Sequence, residues 1–346
     1  MATKIKLGMI GLGGMGSHHA NYISTMQDVQ IVGVCDLIEE KARRVGEKLN
    51  VPWCLDYRQL LDQADAVWVC TEPFNRRDVV VTSIRAGKHI FTGKPVCLDL
   101  AQADEMIAAA RAANVKYMLG YVLRFTEPYR TLRDTFASGE LGELVSCWTR
   151  RFMPIDMSPL WYGKQENSGG VSLDFGSHDG DWLRWVGGDV KSVYGGVKTI
   201  RSTVKADEHA QAMLAFQAGG MGSFEVSWWS PVGESSVGIV GTKGAMIVGR
   251  DGVVRKRIDG HDEEIVNVDS AMDVNLGGKV GQRDGQGAIR AVATRRETIQ
   301  EHFFRCIEED IEPLTDASVG RAVLAVMNAL QLSVQRGQSV NLSEIG

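Results

Sequence analysis

The sequence lacks close-spaced cysteines. Its six (Cys35, Cys54, Cys70, Cys97, Cys147 and Cys306) are scattered over 346 residues without a Cys-x-x-Cys pair, which excludes zinc ribbons and dithiol redox motifs and leaves buried free thiols as the expected state. It also lacks a surplus of positive charge: 38 lysines and arginines face 43 acidic residues, for a formal net charge of −5. Proteins that bind nucleic acid through its phosphates present basic surfaces, so no nucleic-acid partner is expected. The opening MATKIKLGMIGLGGMG holds only a short, glycine-broken apolar stretch with no small-residue cleavage site. It reads as neither signal peptide nor membrane span, and the expected setting is cytoplasmic, with no membrane partner. No solenoid-length repeat and no low-complexity tail is found.

What is present is a chain long enough for two domains. In the first third, the segments KIKLGMIG, VQIVGVCD, AVWVCT, HIFTG and KYMLGYV read as strands. Between them SHHANYISTM, EEKARRVGEKL, RRDVVVTSIRAG and LAQADEMIAAARAA read as helices. Such alternation predicts a doubly wound parallel sheet covered on both faces. After Val122 the rhythm changes. A helical EPYRTLRDTFASGE precedes the strand-like ELVSCWTRRF, KSVYGGVKTI, HAQAMLAFQAG and MGSFEVSWWS, and two helical segments close the chain. The expected architecture is an α/β domain over residues 1–122. An α+β domain with a large, mostly antiparallel open sheet follows over 123–346, its last helices free to pack back on the first domain. The glycine-rich, aperiodic stretch from Ser270 to Ala291 is expected to be a long loop, either an active-site cover or plain connection.

The first strand runs into Gly11-x-Gly13-x-x-Gly16 and then a helix. In that context the first glycine permits a tight turn, the second lets backbone approach a pyrophosphate, and the third lets helix and strand pack closely, while the helix N-terminus offers free amides to phosphate. Asp36 ends the next strand, twenty positions beyond Gly16, where a carboxylate can accept from an adenosine ribose. It would repel a 2′-phosphate, and the following Leu37-Ile38 offers no arginine or serine to hold one, so a Rossmann domain preferring NAD over NADP is expected.

HIFTGKPVCLDL puts Lys94 between Gly93 and Pro95. A Walker loop is excluded, because five residues rather than four separate Gly87 from Gly93 and a proline stands where a magnesium-binding hydroxyl is needed. Lys94 instead falls at the C-terminal end of a strand, on the sheet edge where ligands gather. In GGVSLDFGSHDGDW, Asp174 and His178 are four apart in an expected helix. Four residues turn a helix by about 400°, placing both side chains on one face, where they can serve as an acid/base pair or as a structural hydrogen bond. The DFG tripeptide has no kinase catalytic loop to accompany it. Adjacent His18-His19 are not spaced for a shared metal. Asp174, His178 and Asp181 have ligand chemistry, but no metal is expected. Trp182, Trp185, Trp228 and Trp229 are read as core or interface aromatics.

Several segments in order resemble the glucose-fructose oxidoreductase / inositol dehydrogenase / rhizopine-catabolism (Gfo/Idh/MocA) family over essentially the whole chain. GLGGMGSHHA is similar to its glycine fingerprint, VCTEPFNRRDV to its Thr-Pro-Asn segment with Glu72 intruding, and AGKHIFTGKP to Gly-Lys-His-(apolar)-x-x-Glu-Lys-Pro. GYVLRFTEPY is similar to its Arg-(aromatic)-x-x-Pro segment, and GGVSLDFGSHDGDWLRWVGG to its Asp-x-x-x-His helix. The resemblance implies a catalytic trio of Lys94, Asp174 and His178. His178 would take the proton of a substrate hydroxyl whose carbon gives hydride to nicotinamide, Lys94 would polarise that oxygen, and Asp174 would orient the imidazole or a neighbouring hydroxyl. The cofactor contacts it implies are Gly11, Gly13, Gly14, Met15, Gly16, Asp36, Thr71 and Lys94. Two departures stand out: Gly93 replaces the glutamate usual before Lys-Pro, and Arg77 stands where histidine is common.

The expected activity is an NAD-dependent dehydrogenase acting on a secondary alcohol of a cyclic polyol or sugar, with Tyr121, Arg124 and Trp161 as substrate contacts. The rivals are reduction of a keto-sugar, imine or other carbonyl, and a nucleotide-binding sensor without turnover. An antiparallel sheet with one bare face predicts a homodimer or homotetramer.

Overall fold

The computed structural model describes residues 4–157, 160–266 and 297–346; the loop expected at Ser270–Ala291 lies outside them. Two sheets form the framework of the described residues. The first has strands β1 (Ile5–Ile10), β2 (Val29–Cys35), β3 (Trp53–Cys54), β4 (Ala66–Val69), β5 (His89–Thr92) and β6 (Tyr117–Leu119), ordered β3-β2-β1-β4-β5-β6 and parallel throughout. AVWV and YML are buried at every position, as expected where helices cover both faces and no alternation survives. The strand order reverses between β1 and β4, which opens a crevice at the strands' C-terminal ends.

The second sheet contains β7 (Leu144–Phe152), β8 (Val190–Lys198), β9 (His209–Phe216), β10 (Met221–Ser227), β11 (Glu234–Gly241), β12 (Gly244–Val248), β13 (Val254–Ile258), β14 (Glu264–Val266) and β15 (Val340–Asn341). Its order is β14-β13-β12-β11-β7-β10-β9-β8-β15, antiparallel except where β7 meets β10. Here the strands alternate. Ala210, Ala212, Leu214 and Phe216 of β9 are buried, whereas Gln211 and Met213 face out. The inner face packs on helices Gly176–Gly187 and Ala317–Arg336. The outer face carries Tyr194, Met213 and Ile247 exposed, on strands that register Tyr194 with Met213 and Ile247 with Gly238.

Near the end of the chain, helical residues join the core of the first sheet. Helix Ile299–Glu308 opens with a capping box on Thr298 and Glu301 and sends Ile299, Phe303 and Phe304 into one cluster with Leu7, Met9, Trp68 and Phe91. Trp68 and Phe91 stack at 3.5 Å between ring centroids, and Phe303 meets both edge-on at 5.7 Å. Just before the final helix, Leu119 N–H donates to Thr315 O and Thr315 Oγ1 donates to Leu119 O, so this segment extends the β6 edge. The 20-residue helix Ala317–Arg336 is long and apolar enough to cross a membrane by composition, yet it buries ten residues, including Val323, Leu324 and Leu330, inside the protein.

Candidate active site

The glycine turn after β1 behaves as its spacing predicts. Gly11 has φ +83°, and a Cβ there would lie 2.8 Å from the Cys70 carbonyl carbon. A Cβ on Gly16 would lie 1.9 Å from Gly11 O, so only glycine lets the helix seat against the strand. Gly13 caps helix Gly14–Ile23 without a side-chain acceptor, leaving the first-turn amides free. Around Gly13 and Gly14 a Cβ would meet nothing within 4 Å. The half-exposed Met15 stands beside this open cradle. Asp36 is tied to it: Leu12 N–H donates to Oδ2 at 2.7 Å and Ile38 N–H to Oδ1 at 2.9 Å. Each carboxylate oxygen keeps a lone pair for a ribose hydroxyl. Thr71 follows β4 at the same edge, with its buried Oγ1 unpartnered. These residues fit a dinucleotide.

Lys94 stands at the end of β5, 17% exposed, and its ammonium crosses to the other half of the chain. Nζ donates to Asp174 Oδ1 at 2.9 Å and to the Asp174 carbonyl oxygen. The second contact exists because the expected single helix is two. Gly170–Asp174 and Gly176–Gly187 meet at Phe175, and His178 N–H bonds Phe175 O at 3.2 Å. The Asp174 carbonyl accepts instead from Lys94 and, at 3.3 Å, from Ser177 Oγ.

The start of the first short helix is clamped by Asp207, which takes Val171 N–H on its carbonyl and Ser172 Oγ on its carboxylate at 2.6 Å. Gln331 Nε2 adds a bond at 3.1 Å. Gly170 has φ +73°, and a Cβ there would run into that carboxylate.

His178 is buried, and its Nδ1 has no hydrogen-bond partner. Asp174 therefore does not orient the ring through Nδ1; its carboxylate is engaged by Lys94. Burial, then the Lys94 and Arg151 charges, holds the imidazole well below its ordinary value of 6.5, so it is neutral. Tyr121 lies edge-on to His178 at 6.3 Å between centroids, fully buried, its hydroxyl unpartnered and pushed well up by burial. Trp161 stacks on Tyr162 at 3.8 Å and meets Phe74 edge-on at 6.0 Å.

Arg124, expected as a substrate contact, is engaged within the chain: Nε and Nη2 clamp Asp181 at 3.0 and 2.7 Å and Nη1 bonds Leu314 O. Both partners of this ion pair are buried. Asp181 is thereby spent as a metal ligand, and no metal-binding group of three is found among the described residues. Arg151 consumes Asp179 in the same way at 2.9 Å.

The two departures also resolve into geometry. Arg77 is exposed and pairs bidentately with Glu105 at 2.6 Å. Its neighbour Arg76, which sequence reading missed, turns inward and donates to Thr71 O at 2.6 Å, Gly93 O at 2.7 Å and Pro95 O. It thus staples the loops after β4 and β5, and nothing in a paired Arg-Arg announces which one goes inside.

Residues 5–121 match the family model described as oxidoreductase family, NAD-binding Rossmann fold, and residues 129–247 match the GFO/IDH/MocA C-terminal domain. Among curated relatives, the chain is 26% identical to myo-inositol 2-dehydrogenase of Thermotoga maritima, with 99% of each covered. It is 24% identical to 2,7-anhydro-N-acetylneuraminate hydratase of Escherichia coli, over 99% and 98%. Levoglucosan dehydrogenase in complex with NADH superposes with a TM-score of 0.84 at 20% identity, over 98% and 99% of the two chains.

Proposed function

Because the chain belongs to the Gfo/Idh/MocA family of NAD-binding oxidoreductases, we propose that it oxidises a secondary hydroxyl of a cyclic polyol or sugar, with NAD as acceptor. The observation that carries this reading is the bond from Lys94, just past the C-terminal end of β5, to Asp174, four residues before a buried, neutral His178 whose Nδ1 has no hydrogen-bond partner. An ammonium has three donors. Asp174 takes two of Lys94's with its carboxylate and carbonyl, and the third remains for a substrate oxygen.

Bound NAD supplies the hydride acceptor at nicotinamide C4. The protein supplies the proton path and the field. Lys94 stabilises negative charge on the substrate oxygen, and Asp174 fixes where that ammonium points. His178 accepts the hydroxyl proton. Its low basicity suits an acceptor that receives the proton as the carbon loses hydride, when the hydroxyl is most acidic. Tyr121 and Trp161 are the proposed contacts for the sugar ring, through an unpartnered hydroxyl and a stacked aromatic face. Asp36, its carboxylate already fixed by two backbone amides, favours NAD over NADP by charge. The outer face of the second sheet, exposed at Tyr194, Met213 and Ile247 among the described residues, supports a homodimer or homotetramer.

Absorbance at 340 nm across inositols, aldoses and pyranosides tests the reaction. Lys94→Ala and His178→Ala should each lower kcat by about 10²- to 10⁴-fold while NAD binding holds. Full activity in either variant would remove that residue from the scheme. Tight NAD binding with no absorbance change in either direction would favour the sensor instead.

A further inference from the structure

One buried cation has no part in the scheme above. Arg76 is 2% exposed, and every acceptor it reaches is a backbone carbonyl; its Nε has no partner. No carboxylate among the described residues hydrogen-bonds it. The titratable side chains near it stay neutral: burial pushes the Cys70 thiol up to about 12, the Cys97 thiol to about 11 and the Tyr117 phenol to about 12. The half-buried Glu72 adds the field of a carboxylate to its environment. A guanidinium keeps its proton under all working conditions, so the site carries a positive charge held by carbonyl dipoles rather than by a bonded carboxylate.

That charge lies directly under the departure at position 93. A Cβ built on Gly93 would meet only Arg76 Nη2, at 3.8 Å. A glutamate at this position, as the family resemblance leads one to expect, would bring a carboxylate beside the guanidinium; glycine brings none, and the cation lies under the edge between β5 and Lys94. A dinucleotide held at the Gly11–Gly16 cradle would have this edge, and Arg76 beneath it, within its reach toward Lys94.

We propose that Arg76, left without a counter-charge by Gly93, makes this cofactor site favour the reduced nicotinamide over the oxidised one. The inference rests on the dinucleotide reading of the site. The oxidised ring is a cation and the reduced ring is neutral. A fixed positive charge in a partly dry pocket therefore opposes NAD⁺ and leaves NADH unaffected. The consequence is a cofactor that stays bound after reduction, as an enzyme that recycles its nucleotide requires.

The test is calorimetric titration of the intact protein with NAD⁺ and with NADH, read as the ratio of their Kd values. Gly93→Glu should shift that ratio toward NAD⁺ by about tenfold, the effect of one opposed charge at short range in a partly screened site. Gly93→Gln, the same size without the charge, should leave it within about twofold. Arg76→Gln removes the cation itself and should shift the ratio the same way as Gly93→Glu. An unchanged ratio in Gly93→Glu or Arg76→Gln, provided the variant retains the wild-type circular dichroism, overturns the inference. So does an equal shift in Gly93→Gln. Should the wild-type protein bind neither nucleotide, the dinucleotide reading falls first and takes this inference with it.

Discussion

Replacing Asp207 by asparagine should remove a pH dependence from the protein's stability. Asp207 is buried, and burial raises its carboxyl from 3.8 to about 6, against the pull of bonds from Ser172, Gln331 and Val171. A folded-state value above the unfolded one means the native protein binds the proton more tightly. The stabilisation is complete below 3.8 and is lost as pH rises through about 6; above that the cost of a buried carboxylate is constant. The interval corresponds to about 3 kcal/mol. Urea unfolding of wild type and Asp207→Asn, at about pH 4.5 and about pH 7.5, cancels the other titrating groups in the double difference. Wild type should lose about 2 kcal/mol relative to the variant between those two conditions, since at about pH 4.5 part of the interval has already been crossed. A difference that does not change with pH, or that grows in the opposite sense, would refute the reasoning. The same titration reaches the active site, because Asp207 clamps the helix that ends in Asp174.

Further outcomes follow from the same geometry. With His178 held well below 6.5 by burial and by the Lys94 and Arg151 charges, the acid limb of the kcat/KM profile should fall only below the ordinary imidazole range; a limb centred at 6.5 or higher would contradict a buried neutral base. Phe303→Ala should cost about 3 to 5 kcal/mol in chemical denaturation, since the ring is fully buried against Trp68 and Phe91, whereas a loss under about 1 kcal/mol would mean the cluster contributes little. Asp36→Ser combined with Leu37→Arg should move the Kd ratio toward NADP, and an unchanged ratio would remove Asp36 from ribose recognition.

The parts of the fold legible in the sequence are those whose physics is local. The Gly11–Gly16 turn announces itself because a Cβ at Gly11 or Gly16 would strike backbone. Parallel strands such as AVWV read as unbroken apolar runs because both faces are covered. What escaped depends on partners distant in the chain. Arg124 looks like a ligand contact until Asp181 appears opposite it, and Arg76 and Arg77 are indistinguishable until one is found inside and the other on Glu105. The break at Phe175 is hidden by good helical spacing on either side. The two-residue strands β3 and β15 are too short to show any period. Lys94 and Asp174 each stand out in the sequence, but the direct bond between them spans 80 residues and leaves no local trace.

The aromatic cluster of Phe303 and Phe304 on Trp68 and Phe91 sets an order of events during synthesis. Vectorial emergence from the ribosome delivers the six-stranded sheet first, with one side of its indole and phenyl rings still wet. That half must wait for nearly the whole polypeptide before its interior is sealed. Excised as a fragment, it would present a greasy, sticky flank, and a nucleotide-binding module cut from this protein should be designed to carry the distant helix with it.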